Sequence, residues 1–242
     1  ILQTEEERIR FMKEVIRIAQ GSLKIIVHVG ANTTAEAVRL ARAAEEAGAD
    51  AVSSIPPIFY KLGPRGAFEY YRELSESASL PFIVYYIPHL SGYSMDIPEF
   101  EALFALPGVA GIKYAHADHF LLSRLVLKFP EILFFNGNDE ILLQSLISGA
   151  TGSIGLTLNF MPDVYRAIME AYRASDIPKA ERLQRFAVEI IRTILPYGSN
   201  GAAKAIMKMI GLDSGPSRKP ILDLSPQEYQ ELKEKLRALR FF

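Results

Sequence analysis

The chain has 242 residues, of which 49% are hydrophobic and 23% are charged, a composition typical of globular proteins and not of disordered or collagen-like chains. Its 27 Lys and Arg residues are balanced by 28 Asp and Glu residues, so no excess of positive charge indicates nucleic-acid binding. The absence of cysteine excludes disulfides, zinc–thiolate sites and a cysteine nucleophile, and it fits a cytoplasmic protein. No apolar run approaches the ~18 residues of a membrane span, and the charged N-terminal stretch does not have the pattern of a signal peptide.

Helical patterns alternate with short β-branched runs along most of the chain. Thr4 and Glu7 form a capping box that predicts a helix over residues 4–20, and Thr33 with Glu36 predicts a second helix that ends at Gly48. The other predicted helices of this part cover residues 67–79, 119–128 and 140–147, with one more that begins at Asp96. The strand-like runs cover residues 24–29, 51–55, 81–87, 109–115, 132–136 and 151–158.

After residue 158 the pattern predicts only helices. They cover residues 161–174, 179–195, 202–210 and 226–239. Six strands, each followed by a helix after a short connection, predict an α/β fold with a parallel sheet. The pattern is compatible with an open doubly wound sheet and with a (β/α)8 TIM barrel that lacks its first two strands. The opening helix, which no strand precedes, favours the barrel.

The predicted domain organisation follows from this pattern. We expect residues 1–178 to form the barrel, incomplete at its N-terminus, and residues 179–242 to form a helical C-terminal extension of the same domain.

Lys113 is the first candidate for chemistry, because reactive groups of parallel α/β proteins lie at the carboxyl ends of strands. Alternation along residues 109–115 places Gly111, Lys113 and Ala115 on one face, and the opposite, apolar set is expected to face the helices. An apolar wall disfavours the charged form of a lysine, and a neutral amine is the form that attacks a carbonyl to make a Schiff base. A lysine that merely reaches solvent or a carboxylate is the alternative.

Two further strand ends have polar groups. In residues 81–87, Tyr85 is placed to transfer a proton beside a Schiff base, although adjacent tyrosines in a strand are also common packing residues. The run Asn136-Gly137-Asn138-Asp139-Glu140 offers two carboxylates and a glycine that suit a polyhydroxylated ligand. A polar turn that caps the next helix explains this run equally well.

Other patterns are weaker. The spacing of His116, Asp118 and His119 resembles that of metal ligands, but Asp118 is better explained as a helix N-cap. The glycines at 149, 152 and 155 lack the spacing of a dinucleotide-binding loop. We therefore expect no metal at this place and no Rossmann-type cofactor.

The segments YYIPHLSG (85–92), GIK (111–113) and NGNDE (136–140), in this order and spacing, resemble the N-acetylneuraminate lyase and dihydrodipicolinate synthase family. The resemblance covers essentially the whole chain. It implies class I aldolases on a (β/α)8 barrel with a helical extension, usually homotetramers, that need no cofactor beyond a covalent Schiff base. It also implies that Lys113 forms this Schiff base with pyruvate and that Tyr85, not Tyr86, transfers the proton.

The resemblance is closest to the N-acetylneuraminate lyase branch. Leu90-Ser91-Gly92 stands where the synthase branch typically has an arginine two residues past the proline. By the same resemblance Gly137, Asp139 and Glu140 contact the sugar-acid chain of the substrate.

Three departures from this branch affect the expected substrate specificity and the expected completeness of the barrel. Ala115 and Leu156 stand where relatives have hydroxyl side chains that bind the polyol chain. The G-[ST]-T-G-E loop that binds the pyruvate carboxylate in relatives stands just before a segment like Leu2-Gln3-Thr4-Glu5 and is absent here, so we expect the chain to begin immediately after it, without two strands and one helix.

The resemblance therefore predicts a carbon–carbon lyase that cleaves a 2-keto sugar acid such as N-acetylneuraminate to pyruvate and an aldehyde. The alternatives are the same chemistry on another 2-keto acid (a deoxy-sugar acid aldolase, a dihydrodipicolinate-synthase-like enzyme or a dehydratase) and a truncated, non-catalytic member. The expected partners are the small-molecule keto acid, pyruvate and further copies of the chain, with no nucleic acid and no membrane.

Overall fold

The computed structural model describes residues 2–242, and strands alternate with helices through its first compact unit, which ends at Phe135. The helices of this unit are α1 Glu5–Ala19, α2 Thr34–Ala47, α3 Gly63–Ser75, α4 Pro88–Ser91, α5 Ile97–Phe104 and α6 His119–Lys128. Its strands are β1 Ile26–His28, β2 Ala51–Ser54, β3 Phe82–Tyr86, β4 Val109–Tyr114 and β5 Leu133–Asn136, the last residue of which begins the second unit.

The second unit, Asn136–Phe242, is mostly helical. Its one strand among the described residues after β5 is β6 Gly152–Ser153. Its helices are α7 Leu142–Ile147, α8 Pro162–Arg173, α9 Ile177–Ile194, α10 Ser199–Met209 and α11 Pro226–Ala238. Three short 3-10 turns cover Asp139–Ile141, Thr157–Asn159 and Leu195–Tyr197.

The sheet is parallel from β1 to β4, as the repeated strand–helix pattern predicts. The strand order follows the chain, β1-β2-β3-β4-β5-β6. Each strand is joined to the next through a helix, which is the connection that parallel neighbours require. This arrangement confirms the α/β class and brings the carboxyl ends of β1 to β4 to one edge.

Local signals fix where several helices begin. Thr4 and Asp96 each accept a hydrogen bond from the backbone of the third helical residue, which closes a capping box at α1 and at α5. Thr33 caps α2, and Gly48 ends it in the left-handed conformation. α3 begins earlier than the predicted residue 67, because Gly63-Pro64 supplies a proline in the first turn.

Each unit has its own hydrophobic core. In the first unit the core is formed by helix residues such as Leu40 and Phe100 packed on strand residues such as Val84 and Ile112, all completely buried. In the second unit Ile168, Ile190, Ile206 and Leu232 pack together from four helices. Burial of such side chains contributes ~25 cal/mol per Å² of apolar surface, which is the main stabilisation of both units.

The predicted strand over residues 151–158 is much shorter in the structure. Only Gly152 and Ser153 form a strand, and a 3-10 turn follows at Thr157–Asn159. The turn forms because both the backbone N–H and the hydroxyl of Thr157 bind the carboxylate of Asp139, a contact that the local pattern does not reveal. Among the described residues no helix is long and apolar enough to span a membrane.

Candidate active site

Lys113 and Tyr85 lie side by side on neighbouring strands. The parallel register of β3 and β4 pairs these two residues directly, and Lys113 Nζ lies 4.0 Å from the centre of the Tyr85 ring. Both side chains are half-buried, whereas the alternate residues Ile112 and Tyr114 are buried among the core residues of the unit. The amine and the phenol therefore share one face of the sheet, at the distance of a cation–π contact.

Tyr86 faces the opposite way and has a structural role. Its hydroxyl accepts a hydrogen bond from the backbone of Met95 at 3.3 Å, and its ring centre lies 5.5 Å from that of Tyr114. Burial raises the pKa of Tyr86 above its usual value of 10. This geometry leaves Tyr85 as the tyrosine beside Lys113.

Gly111 allows close packing two residues before the lysine. A Cβ at this position would lie 2.8 Å from the carbonyl oxygen of Leu133 and 3.0 Å from Cδ1 of Ile83. Glycine is therefore required for β4 to approach its neighbours on the face that bears Lys113.

Ala115 lies immediately beyond β4. It is buried, and its backbone N–H donates a hydrogen bond of 2.8 Å to the carbonyl oxygen of Tyr86. This bond continues the β3–β4 ladder by one residue and holds the backbone after Lys113 in place.

His28 is a neighbour of this pair that the sequence reasoning did not identify. Its ring centre lies 6.2 Å from that of Tyr85 in an edge-to-face contact, and its Nδ1 lies 3.2 Å from the Ser53 hydroxyl. One side of the ring borders a cavity of about 550 Å³ in the first unit. Desolvation, followed by the charges of Arg8 and Lys113, lowers the pKa of His28 to about 4. The alternation along residues 24–29 was the signal that could have placed His28 on the face of Tyr85.

The depressed pKa of His28 predicts a loss of stability in acid. Between pH 6.5 and about 4 the unfolded chain binds a proton that the folded chain excludes, so the free energy of unfolding falls as the pH falls through this range. We expect a loss of about 1 kcal/mol, less than the full pKa shift would give, because the His28 side chain is exposed and solvent screens the ring. Urea unfolding at pH 7 and pH 4.5 measures it. The variant His28→Gln is expected to lose less stability over the same interval, and an equal loss in both proteins would contradict this role of His28.

The remaining predicted site residues lie in the second unit. Gly137 is half-buried, Asp139 is buried at 6% exposure, and Glu140 is exposed. β5 ends at Asn136 and Asp139 begins a 3-10 turn, so Gly137 and Asp139 lie beyond the strand. Leu156 is 36% exposed at the start of the next 3-10 turn.

Asn136, which sequence reasoning treated as part of a ligand-binding run, has a structural role. Its Nδ2 donates to the carbonyl oxygen of Asn138 and to the Ser153 hydroxyl, and its Oδ1 accepts from Ser145 at 2.8 Å. These bonds join the end of β5 to β6 and α7, and they fix the backbone from which Gly137 and Asp139 follow.

The possible metal ligands have other partners. Asp118 Oδ1 accepts a hydrogen bond from the backbone of Leu121 at 2.8 Å, which makes Asp118 the N-cap of α6, as predicted. Within residues 2–242 no group of three or more His, Asp or Glu side chains is arranged to hold a metal ion.

Comparisons with known proteins identify the family of this chain. The model of the dihydrodipicolinate synthetase family matches residues 1–239, and the chain belongs to this family. The N-acetylneuraminate lyase of Rhizobium meliloti (strain 1021) is 36% identical over 235 residues, which cover 97% of this chain and 78% of the relative. The N-acetylneuraminate lyase of Salmonella agona (strain SL483) is 34% identical over 96% of this chain and 79% of its own length.

Solved structures of similar sequence share the fold of this chain. A sialic acid aldolase of Ruminococcus gnavus, crystallised as a catalytic lysine mutant, superposes with a TM-score of 0.94 at 30% identity over 99% of this chain and 80% of its own. The N-acetylneuraminate lyase of Mycoplasma synoviae superposes with a TM-score of 0.92 at 30% identity, over 99% of this chain and 81% of its own.

Proposed function

We propose that this protein is a Schiff-base-forming aldolase, a carbon–carbon lyase that cleaves a 2-keto sugar acid such as N-acetylneuraminate to pyruvate and an aldehyde. The observation that supports this most strongly is the pairing of Lys113 with Tyr85, 4.0 Å from Nζ to the ring centre, in a chain 36% identical to an N-acetylneuraminate lyase.

The chemistry follows from these two side chains. The neutral amine of Lys113 attacks the C2 ketone, and the Tyr85 hydroxyl gives its proton to the departing oxygen, so that water leaves and an iminium forms that accepts electrons. The Tyr85 phenolate then takes up the proton of the C4 hydroxyl while the C3–C4 bond breaks. The aldehyde leaves, and the enamine that remains on Lys113 is protonated at C3 and hydrolysed to pyruvate. The covalent adduct supplies the electron sink, so the proposed reaction needs no metal and no organic cofactor.

The residues proposed to contact the sugar-acid chain are Gly137, Asp139, Glu140, Ala115 and Leu156. A polyol offers several hydroxyl donors, and carboxylate oxygens are acceptors that suit them. These assignments rest on the match of NGNDE to the lyase branch of the family.

A second candidate is the same Schiff-base chemistry on a different 2-keto acid, such as a deoxy-sugar acid. It is favoured by the apolar side chains of Ala115 and Leu156, since a site with fewer hydroxyl groups binds a long polyol less tightly. A dehydratase or a dihydrodipicolinate-synthase-like activity would use the same lysine and tyrosine. The third candidate is a truncated member of the family without catalytic activity.

Restoring the two hydroxyl groups tests the specificity. We expect Ala115→Thr combined with Leu156→Ser to raise kcat/KM for N-acetylneuraminate relative to kcat/KM for a shorter 2-keto acid. The expected gain corresponds to about 1–3 kcal/mol of transition-state binding. The ratio of the two kcat/KM values is the measurement. Because Ala115 is buried, the single variant Leu156→Ser serves as a control for packing strain. An unchanged ratio in both variants would show that neither position faces the substrate chain.

The proposed function itself is tested by incubating the full-length protein with N-acetylneuraminate and a panel of other 2-keto acids and measuring pyruvate release. Release from N-acetylneuraminate with the highest kcat/KM of the panel is the expected result. A higher kcat/KM on another keto acid would support the second candidate. The absence of turnover on the whole panel would favour the non-catalytic alternative.

Further features that the family resemblance implies extend the proposal. We propose a (β/α)8 barrel whose first two strands are absent from this chain, a helical extension from residue 179, a homotetramer and a cytoplasmic location. The chain spans about 80% of the length of the relatives that it matches.

A further inference from the structure

The carboxylate of Asp139 is bound on one oxygen only. Its Oδ2 accepts two hydrogen bonds of 2.7 Å, one from the backbone N–H of Thr157 and one from the Thr157 hydroxyl. Its Oδ1 is buried and has no hydrogen-bond donor among the described residues of the chain. A buried carboxylate oxygen that accepts no hydrogen bond lowers the stability of the folded protein. This oxygen is therefore a candidate to accept a hydrogen bond from a bound ligand.

The hydroxyl of Thr157 is itself held by Tyr165. The two oxygens lie 2.6 Å apart, and both side chains are buried. The single proton of Thr157 Oγ1 is donated to Asp139, so Tyr165 must be the donor in this pair. Burial raises the pKa of Tyr165 well above its usual value, which keeps its proton in place. The hydrogen bonds therefore run in one direction, from Tyr165 through Thr157 to Asp139.

Gln184 fixes the backbone of the same residue. Its Nε2 donates to the carbonyl oxygen of Asp139 at 3.2 Å, and its Oε1 accepts from the backbone of Leu143 at 3.0 Å. The side chain is buried at 4% exposure in α9. Both the main chain and the carboxylate of Asp139 are thus held, and the carboxylate cannot rotate without breaking two short hydrogen bonds.

Gly155 provides the space that Asp139 Oδ1 occupies. A Cβ at position 155 would lie 1.5 Å from Oδ1, so no other residue fits there with Asp139 in this orientation. The free oxygen therefore faces a bare stretch of backbone beside Leu156, the residue proposed to lie along the substrate chain.

We propose that Thr157 and Tyr165 are positioning residues that aim Asp139 Oδ1 at a hydroxyl of the polyhydroxylated part of the substrate. This inference rests on the proposed function and adds to it the residues that orient the carboxylate. Pyruvate has no such hydroxyl. We therefore expect the hydrogen bonds from Tyr165 through Thr157 to Asp139 to affect binding of the sugar-acid chain and to leave formation of the Schiff base unchanged.

The test compares Tyr165→Phe and Thr157→Val, each of which removes one hydroxyl and keeps the shape of the side chain. We expect KM for N-acetylneuraminate to rise about fivefold to tenfold in both variants, with kcat within about twofold of the wild type. The rate at which pyruvate and borohydride label Lys113 is expected to stay at its wild-type value. Thr157→Ser, which restores the hydroxyl, is expected to bring KM back to within about twofold of the wild type.

Tyr172→Phe is the matched control, because Tyr172 is a half-buried tyrosine on the same helix α8. Thermal unfolding of every variant shows whether the fold is intact. If Tyr165→Phe and Thr157→Val change only the unfolding temperature and match Tyr172→Phe in KM, the inference is wrong. A wild-type protein that pyruvate and borohydride do not label would instead contradict the proposed function, which separates the two failures.

Discussion

Replacing Lys113 by arginine is expected to lower kcat for pyruvate release by on the order of 10³-fold or more, because guanidinium keeps the charge but cannot form the Schiff base. Lys113 stands directly beside Tyr85 in the β3–β4 register, on the face opposite the buried Ile112 and Tyr114. The substitution removes the nucleophile and leaves the core of the unit untouched. Steady-state kinetics with N-acetylneuraminate, together with circular dichroism to check the fold, measures the effect.

Lys128→Arg is the matched control. Lys128 is an exposed lysine at the end of α6, where it forms an ion pair of 2.5 Å with Glu101. Arginine preserves such a surface pair, so we expect wild-type kinetics. If Lys113→Arg retained near-normal turnover, the nucleophile would have to be sought elsewhere in the chain.

Replacing Tyr85 by phenylalanine is expected to lower kcat by about 10²–10⁴-fold, the range that proton transfer by a positioned side chain contributes. The Tyr85 ring lies beneath the Lys113 amine, so loss of the hydroxyl removes the proton acceptor while the ring continues to support the lysine. Formation of the Schiff base is expected to be less affected than cleavage of the C3–C4 bond. Comparing the rate of borohydride labelling with kcat separates the two steps.

Tyr86→Phe tests the choice between the adjacent tyrosines. Its hydroxyl binds the backbone of Met95, away from Lys113, so the expected effect is a loss of stability of about 1 kcal/mol with kcat nearly unchanged. A result in which Tyr86→Phe abolished turnover and Tyr85→Phe did not would reverse the assignment.

Local chemistry explains why many elements were predictable from the sequence. Thr4, Thr33, Asp96 and Asp118 all act as N-caps in the structure, because a cap depends on residues only a few positions apart. The position of Lys113 followed in the same way from alternation along one strand. The choice of Tyr85 over Tyr86 came from the family resemblance, since alternation alone does not tell which face of β3 meets Lys113.

The features that the sequence did not reveal depend on contacts between residues that are far apart in the chain. The 3-10 turn at Thr157 replaces a predicted strand because Asp139, 18 positions earlier, binds it. His28 lies near Tyr85 only because the strands align in the sheet. The requirement for glycine at position 155 likewise depends on the carboxylate of Asp139.

Lys113 is proposed to form a Schiff base with pyruvate, and trapping this adduct is the most direct test. The full-length protein is incubated with pyruvate and borohydride, digested, and mapped by mass spectrometry. We expect one modified lysine, in the peptide that contains Lys113, and none in Lys113→Arg. Labelling of a different lysine, or labelling that persists in Lys113→Arg, would contradict it.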